Sequence, residues 1–396
     1  MRELAAAFPD PIVRQFSVKA NDVARIVGVL HALGLGANVV SSGEWAIARR
    51  AGVPNDRITI EGIGKTDADL RRAVRAAADG APPAWLALES PEEAEVLAGM
   101  ARRARLGSNG RPALDVLFRL NPAVSPETAA PLAVGSTSAK FGMTETELTS
   151  AVEQVMDRAG GALVPRGIHL HVGSQLGAVD AWRDAVRRGL ALLGLLRGGL
   201  DSFDTLDLGG GFPVASVGQS APRPERFARE LGPLLEAIPD DRRPRRLAVE
   251  PGRFLVARAG WLVSRVLHVR ARAGGDVERQ VVLDAGMTEL IRPALYGARH
   301  GIEALTSLGR PATDAPRDTL APALVEGPIC ESTDHLGTHD LPPLRRGDLV
   351  VIRDAGAYAA SLGSTYNGRP RPAQILLEAD GTLHLARRRG RIADLG

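Results

Sequence analysis

The whole chain holds three lysines, Lys19, Lys65 and Lys140, among 49 lysines and arginines together. A surface that draws nearly all its positive charge from arginine has little structural use for lysine. Lys19 lies in Gln15-Phe16-Ser17-Val18-Lys19-Ala20-Asn21, after an apolar, β-prone run and before a helix start expected at Asn21-Asp22. That pattern sets an amine at the C-terminal end of a buried strand. An amine there can attack a carbonyl carbon and form a Schiff base. A guanidinium cannot, because it stays protonated and is not nucleophilic. Taken alone, Lys19 also reads as a surface lysine at a strand end.

Four further segments carry chemistry. His169-Leu170-His171-Val172-Gly173-Ser174-Gln175, Asp207-Leu208-Gly209-Gly210-Gly211-Phe212-Pro213 and Glu250-Pro251-Gly252-Arg253 each follow a strand-like run. The last is split between Gly327-Pro328-Ile329-Cys330-Glu331-Ser332-Thr333-Asp334 and Asp354-Ala355-Gly356-Ala357-Tyr358. Three consecutive glycines after a strand offer backbone N–H groups at close approach, which suits a phosphate. His171 can stack on a flat ring. Glu250 can face a ring nitrogen and hold it protonated. Singly these read equally as a tight turn, a satisfied buried histidine and a salt-bridge partner. Amine, phosphate cradle, stacking group and ring-nitrogen partner are together the parts that a pyridoxal phosphate site needs.

The elements that must position these groups follow from periodicity. Short β-like runs at 15–19, 37–40, 58–61, 84–88, 116–120, 167–172, 205–208 and 246–250 alternate with helical stretches at 22–33, 67–77, 91–103, 145–159, 180–196 and 224–237. Eight such units are the pattern of a parallel (β/α)8 TIM-like barrel. A doubly wound sheet alternates similarly. The barrel is favoured by the count, by the lack of a Gly-x-Gly-x-x-Gly turn directly after a strand, and by polar punctuation just past the strands, where barrel enzymes keep their sites. After Pro251 the texture turns to β-runs at 261–269, 280–283, 323–325, 349–353 and 374–377, with a Gly-, Pro- and Asp-rich loop at 306–318 expected to be mobile. The expected organisation is a barrel over 10–250 and a β-sandwich or barrel-like domain over 251–396.

Composition narrows the partners. The net charge of +3 is small for 396 residues. No basic stripe interleaves with aromatics, so nucleic acid is not an expected partner. Arg270, Arg272 and the run Arg387-Arg388-Arg389 read as solvated faces. No apolar run is long enough to span a bilayer, and residues 1–10 lack an apolar leader segment. The single cysteine, Cys330, forms no internal disulfide, which fits a reducing cytoplasm.

Read together, these segments resemble the fold-type III pyridoxal phosphate decarboxylases, the alanine-racemase-like group that includes ornithine and diaminopimelate decarboxylases. The resemblance extends over nearly the whole chain. It includes Leu117-Phe118-Arg119-Leu120-Asn121-Pro122, Ser138-Ala139-Lys140-Phe141-Gly142, Asp284-Ala285-Gly286-Met287 and Ser364-Thr365-Tyr366-Asn367. With Ile291-Arg292-Pro293-Ala294-Leu295-Tyr296 and Arg369-Pro370-Arg371-Pro372, it is most similar to the diaminopimelate decarboxylase branch.

The resemblance implies that Lys19 bonds pyridoxal phosphate, His171 stacks on its ring, Glu250 meets the ring nitrogen, and Arg119 supports that network. Ser174, Gly209, Gly210, Gly211 and Gly252, with Arg253 and Tyr358, would line the phosphate and substrate end. Cys330 would protonate the carbanion left by carbon dioxide. Cys330 and Glu331 would come from the partner subunit of a homodimer with shared sites. Arg253, Arg292 and Tyr296 would meet the distal carboxylate of the substrate, and Glu331 its ammonium. The implied reaction is meso-diaminopimelate to L-lysine and carbon dioxide. The alternative is decarboxylation of a related amino acid, free or tethered to a carrier protein. Members usually carry a few dozen residues ahead of the lysine motif, including a strand of the β domain, so that strand is expected to be missing here. Phe16 in place of Tyr, Ser361-Leu362-Gly363 near Tyr358 and the Arg389-Gly390-Arg391-Ile392 tail depart from the family pattern.

Overall fold

A computed structural model describes residues 1–136, 138–218, 220–271, 277, 279–309, 311 and 319–395. Arg272 and most of the 306–318 loop, namely 310 and 312–318, lie outside the described residues. Eight strands, β1 (Val13–Ser17), β2 (Gly36–Val39), β3 (Ile58–Ile60), β4 (Trp85–Leu88), β5 (Leu114–Arg119), β6 (Leu163–His169), β7 (Thr205–Asp207) and β8 (Arg246–Val249), form a closed barrel. Neighbours run parallel, and β8 closes on β1 by pairing Ala248 with Val13 and Val249 with Arg14. β2, β3 and β4 are buried along their whole length, as expected where helices cover a parallel sheet.

Four of the barrel helices begin where a side chain satisfies a free N–H group. Thr66 and Thr144 make reciprocal capping boxes with Asp69 and Glu147, ahead of the helices Asp67–Ala78 and Glu145–Ala159. Ser90 caps Pro91–Arg103 through the Glu93 N–H. Ser41 does the same for Ser42–Arg50, a helix that the periodicity passes over.

Two local expectations shift. β1 ends at Ser17, not at Lys19, and Val18–Ala20 form a 3-10 turn. The cause is the neighbouring segment: the Ser17 N–H donates to the Pro251 carbonyl at 3.1 Å and its hydroxyl to the Glu250 carbonyl at 3.1 Å. The next helix starts at Ala24, because the Asn21 side chain accepts the Val23 N–H and holds the chain in a turn ahead of it.

The chain divides into two units, Met1–Pro213 with Ala221–Gly252, and Val214–Ser220 with Arg253–Gly396. The second holds a six-stranded sheet in the order β11-β14-β9-β10-β12-β13, built from β9 (Leu262–Ala271), β10 (Arg279–Leu283), β11 (Ile302–Leu305), β12 (Ala321–Glu326), β13 (His335–Leu341) and β14 (Leu349–Ile352). β10 and β12 pair parallel and the other neighbours antiparallel. Val266, Val281, Leu283, Val325, Val350 and Ile352 form its core. A hairpin of β15 (Gln374–Leu377) and β16 (Leu383–Arg387) follows.

Candidate active site

A set of buried titratable residues gathers at the C-terminal ends of the barrel strands. Lys19 follows β1, Asn38 lies in β2, and Glu61 and Glu89 directly follow β3 and β4. Arg119, His169 and Asp207 are the last residues of β5, β6 and β7, and Glu250 directly follows β8. This is the C-terminal mouth, where every strand delivers a side chain toward a common centre.

Inside the mouth the polar groups bind one another. The Asn38 amide donates to Glu250 Oε1 at 2.8 Å, to Thr59 Oγ1 at 3.2 Å, and closely to Glu61 Oε1. His169 Nε2 stands 3.5 Å from Glu250 Oε2 and 3.6 Å from Glu61 Oε1. Arg119 pairs with Glu89 at 2.5 Å, and Glu89 also accepts the Gly142 N–H at 2.9 Å. The Arg119 guanidinium lies 4.9 Å over the Phe141 ring.

Burial governs the charges of this cluster. It pushes the Glu61 carboxyl up to about 7, against the pull of Lys19 and Arg119. Burial and the Glu61 charge hold Asp207 well above the usual carboxylate range. Burial drives His169 well below its ordinary value, with Arg119 and His171 adding to the effect. His171 is likewise pushed down, by burial and then by Lys19 and Arg119, so both rings are neutral.

The glycine run wraps against this cluster. Gly209 has φ +68°, and a Cβ there would stand 2.0 Å from the Leu170 carbonyl oxygen, so only glycine fits. The Gly209 N–H donates to Asp207 Oδ1 at 3.0 Å. The Gly210 N–H donates to His171 Nδ1 at 3.2 Å, which places the neutral ring's hydrogen on Nε2. Ser174 begins a turn after β6, with its carbonyl accepting from the Thr128 hydroxyl. Gly252 packs its Cα face on Ser17 and Ala20, beside Lys19.

These residues fit pyridoxal phosphate. Glu250 is 1% exposed, and its Oε2 makes no hydrogen bond among the described residues. A buried carboxylate oxygen without a donor is rare, and a protonated ring nitrogen is the donor such a cofactor supplies. An amine at Lys19, an imidazole at His171 and a glycine turn stand at the same strand ends.

The second unit holds the remaining sequence-predicted residues. The Arg253 guanidinium stacks 4.6 Å over the Tyr358 ring. Arg292 Nη1 donates to His300 Nε2 at 3.1 Å, while His300 Nδ1 donates to the Arg353 carbonyl at 2.8 Å. Burial lowers Arg253, and burial with the charge of Arg253 lowers Arg292 to about 10. Tyr296 interacts electrostatically with both arginines. Two arginines confined together against tyrosines favour an anion. Cys330 and Glu331 are exposed on a loop, with Glu331 accepting the Tyr366 hydroxyl at 2.7 Å. Buried Asp334 fixes that loop by accepting the Met287 N–H at 2.6 Å and the Ile329 N–H at 2.7 Å.

The structure therefore assembles Lys19, Arg119, His171, Ser174, Gly209, Gly210, Gly211, Glu250 and Gly252 in the barrel unit. Arg253, Arg292, Tyr296, Tyr358, Cys330 and Glu331 belong to the other unit, the last two on a separate loop. Sequence reasoning passed over Asn38, Glu61 and Glu89 as functional groups. The available signal was a lone polar residue closing or interrupting an apolar run, as in Ile58-Thr59-Ile60-Glu61.

Residues 1–257 match the family described as "Pyridoxal-dependent decarboxylase, pyridoxal binding domain". A diaminopimelate decarboxylase of Aquifex aeolicus is 33% identical over 97% of this chain and 84% of its own length. One of Pseudomonas aeruginosa is 35% identical over 96% and 84% respectively. The crystal structure of diaminopimelate decarboxylase from Helicobacter pylori complexed with L-lysine superposes with a TM-score of 0.85 at 28% identity, covering 100% of this chain and 92% of that one. With likeness on this scale added to a barrel that carries its lysine and carboxylates at one mouth, the chain belongs to the fold-type III pyridoxal-dependent decarboxylases, whose cofactor is pyridoxal 5′-phosphate, and within them to the diaminopimelate decarboxylase group.

Proposed function

We propose that the protein removes carbon dioxide from meso-diaminopimelate to give L-lysine. The observation that carries the reading is the near full-length likeness to proteins named diaminopimelate decarboxylase, with Lys19, Glu250 and Cys330 all in place. Pyridoxal phosphate supplies an electron sink for the carbon–carbon bond that breaks. Lys19 would hold it through the amine, and Gly209 to Gly211, Ser174 and Gly252 would hold its phosphate. His171, neutral and fixed by the Gly210 N–H, packs on the ring. Glu250 holds the ring-nitrogen proton, and Arg119 with Glu89 stiffens that side of the mouth.

Arg253 and Arg292, with Tyr296 and Tyr358, would take the distal carboxylate of the substrate, and Glu331 its ammonium. Cys330 would hold the proton that the α-carbon requires after carbon dioxide has left. Cys330 and Glu331 act in the partner's site, so the working form is a homodimer in the cytoplasm. Among the described residues no helix is long and apolar enough to cross a membrane. The relatives' names support free diaminopimelate over a related or carrier-tethered amino acid as the substrate.

The test is purified protein with added pyridoxal phosphate, offered meso-diaminopimelate, its L,L and D,D isomers, ornithine, arginine and glutamate. Carbon dioxide and the amine product are followed. Lysine from the meso isomer alone is expected. Preferred turnover of ornithine, or none of any free amino acid, would overturn the assignment.

A further inference from the structure

One buried group at the barrel mouth has no part in the reaction described above. Glu61 is 3% exposed and hydrogen-bonds through Asn38 to the same amide nitrogen that holds Glu250. That nitrogen has two hydrogens but three acceptors, Glu61, Glu250 and Thr59. Neutral His169 stands within 3.6 Å of both carboxyl groups and can offer only one N–H. Two buried carboxyl groups thus draw on the same single amide and the same single imidazole for their hydrogens. Asn38 Oδ1, both His169 ring nitrogens, Glu250 Oε2 and Asp207 Oδ2 are buried without a hydrogen-bond partner among the described residues.

The charge count points the same way. The groups facing Glu61 are Lys19 after β1, Asn38 in β2, Glu89 after β4, Arg119 in β5, His169 in β6, Asp207 in β7 and Glu250 after β8. Arg119 is matched by Glu89 at 2.5 Å. Three carboxyl groups then remain against one lysine amine, and like charges sharing a buried donor cannot all ionise. Burial raises Glu61 and Asp207 together, while Glu250 shares the Asn38 amide with Glu61.

We propose, resting on the decarboxylase reading above, that Glu61 is a positioning residue: it shares the Asn38 amide and the His169 ring with Glu250, and its protonation decides whether Glu250 is the one charged carboxylate on that amide and so stays in its working state as ring-nitrogen partner. Ionisation of Glu61, with its proton lost to solvent, puts a second negative charge beside that amide, and the Asn38 N–H then favours Glu61 over Glu250. Glu61 thereby sets the alkaline limit of turnover without touching the substrate.

The test is a titration of the holoenzyme and its E61Q variant from about pH 6 to about pH 9. Glutamine keeps the shape of the protonated acid but cannot ionise. In wild type labelled with carboxyl-13C glutamate, one resonance should titrate near neutrality, and E61Q should lack it. The absorbance of the bound cofactor should follow the same step in wild type and stay flat in E61Q. Wild-type kcat should fall by about threefold or more across the step, and that fall should be absent in E61Q. A glutamate spectrum with no resonance titrating near neutrality overturns the proposal. So does an E61Q enzyme that holds its cofactor but loses kcat equally at every pH, because Glu61 would then be needed as an anion. If E61Q does not fold, Asn38→Ser serves instead: it should shift the neutral resonance, and an unshifted one overturns the proposal. Failure of the decarboxylase reading looks different, since the wild type would then form no lysine from meso-diaminopimelate at any pH while the glutamate resonance still reported on Glu61.

Discussion

A lysine and an arginine carry the same charge, yet only one of them can serve at position 19. The surroundings of Lys19 are electrostatic partners for either cation: Glu61, Glu44 and the two neutral histidines all respond to its charge. What arginine lacks is a nucleophilic nitrogen. Lys19→Arg should therefore fold, keep the charge and still lose the Lys19-dependent cofactor absorbance together with turnover; an absorbance spectrum and the lysine assay decide it. Cys330 is the opposite kind of residue, an exposed thiol whose value lies in reach and not in burial. Cys330→Ala should keep the bound cofactor while product formation slows by about 100-fold, the scale of a lost general acid. Normal product release from that variant would show that another group donates the proton. Lys19, His171, Glu250 and Cys330 stand out as candidates in the sequence because each sits in a run of distinctive neighbours. Asn38, Glu61 and Glu89 were not, because each is a single polar residue at the edge of an apolar strand. Their role comes from the closure of β1 onto β8, which brings together residues as far apart as Asn38 and Glu250.

The loop that presents Cys330 owes its form to Asp334. A Cβ at Gly327 or Gly286 would lie 2.3 Å from Asp334 Oδ1, so those glycines and the carboxylate are one packing unit. Asp334→Ala strands the Met287 and Ile329 N–H groups and should cost about 1–3 kcal/mol locally. Faster amide exchange at Ile329, with a lower kcat and the barrel's own exchange unchanged, is the expected signature. A second element-level prediction concerns His300, which ties the Arg292 helix (Arg292–Tyr296) to the chain beyond β14. Burial lowers this imidazole to about 4 from its ordinary value of 6.5, so folding favours the neutral ring. Its contribution is whole above about pH 6.5 and is lost as pH falls toward 4, by about 2–3 kcal/mol at the acid end. Glu61, a raised carboxyl, has the opposite sign: its contribution is whole at acid pH and lost as pH rises through about 7. The two must be separated by comparing wild type with His300→Gln, which keeps a donor and an acceptor but does not titrate. The variant should lose less melting temperature between neutral and acid pH than wild type does; an equal loss would show that His300 does not set the acid sensitivity. The barrel was readable at this scale because most of its strands are short apolar runs alternating with amphipathic helices, four of them opened by a side-chain cap. β11, β13 and β16 were not found. β13, His335-Leu336-Gly337-Thr338-His339-Asp340-Leu341, buries only Leu336 and Leu341 and so lacks an apolar run, its strand state coming from pairing with β12.

At the scale of the molecule the question is which chain supplies which part of a site. The barrel unit carries Lys19 and Glu250, while Cys330 and Glu331 belong to the other unit. If each site of a homodimer takes Lys19 from one chain and Cys330 from its partner, two inactive variants complement each other. In a mixed dimer of Lys19→Ala with Cys330→Ala, one site receives both altered residues and the other receives neither. Random exchange of equal amounts makes half the dimers mixed, and each mixed dimer has one intact site of two. Activity should therefore return to about a quarter of the wild-type value per site, although both parents stay near background. Without sharing, each site in a mixed dimer still has one altered residue, and mixing restores nothing. The measurement is the lysine assay on the two variants refolded or exchanged together, against each variant treated alone. Recovery near a quarter shows that the two residues of one site come from two different chains, whatever the size of the assembly, because an intact site needs only one unaltered Lys19 and one unaltered Cys330.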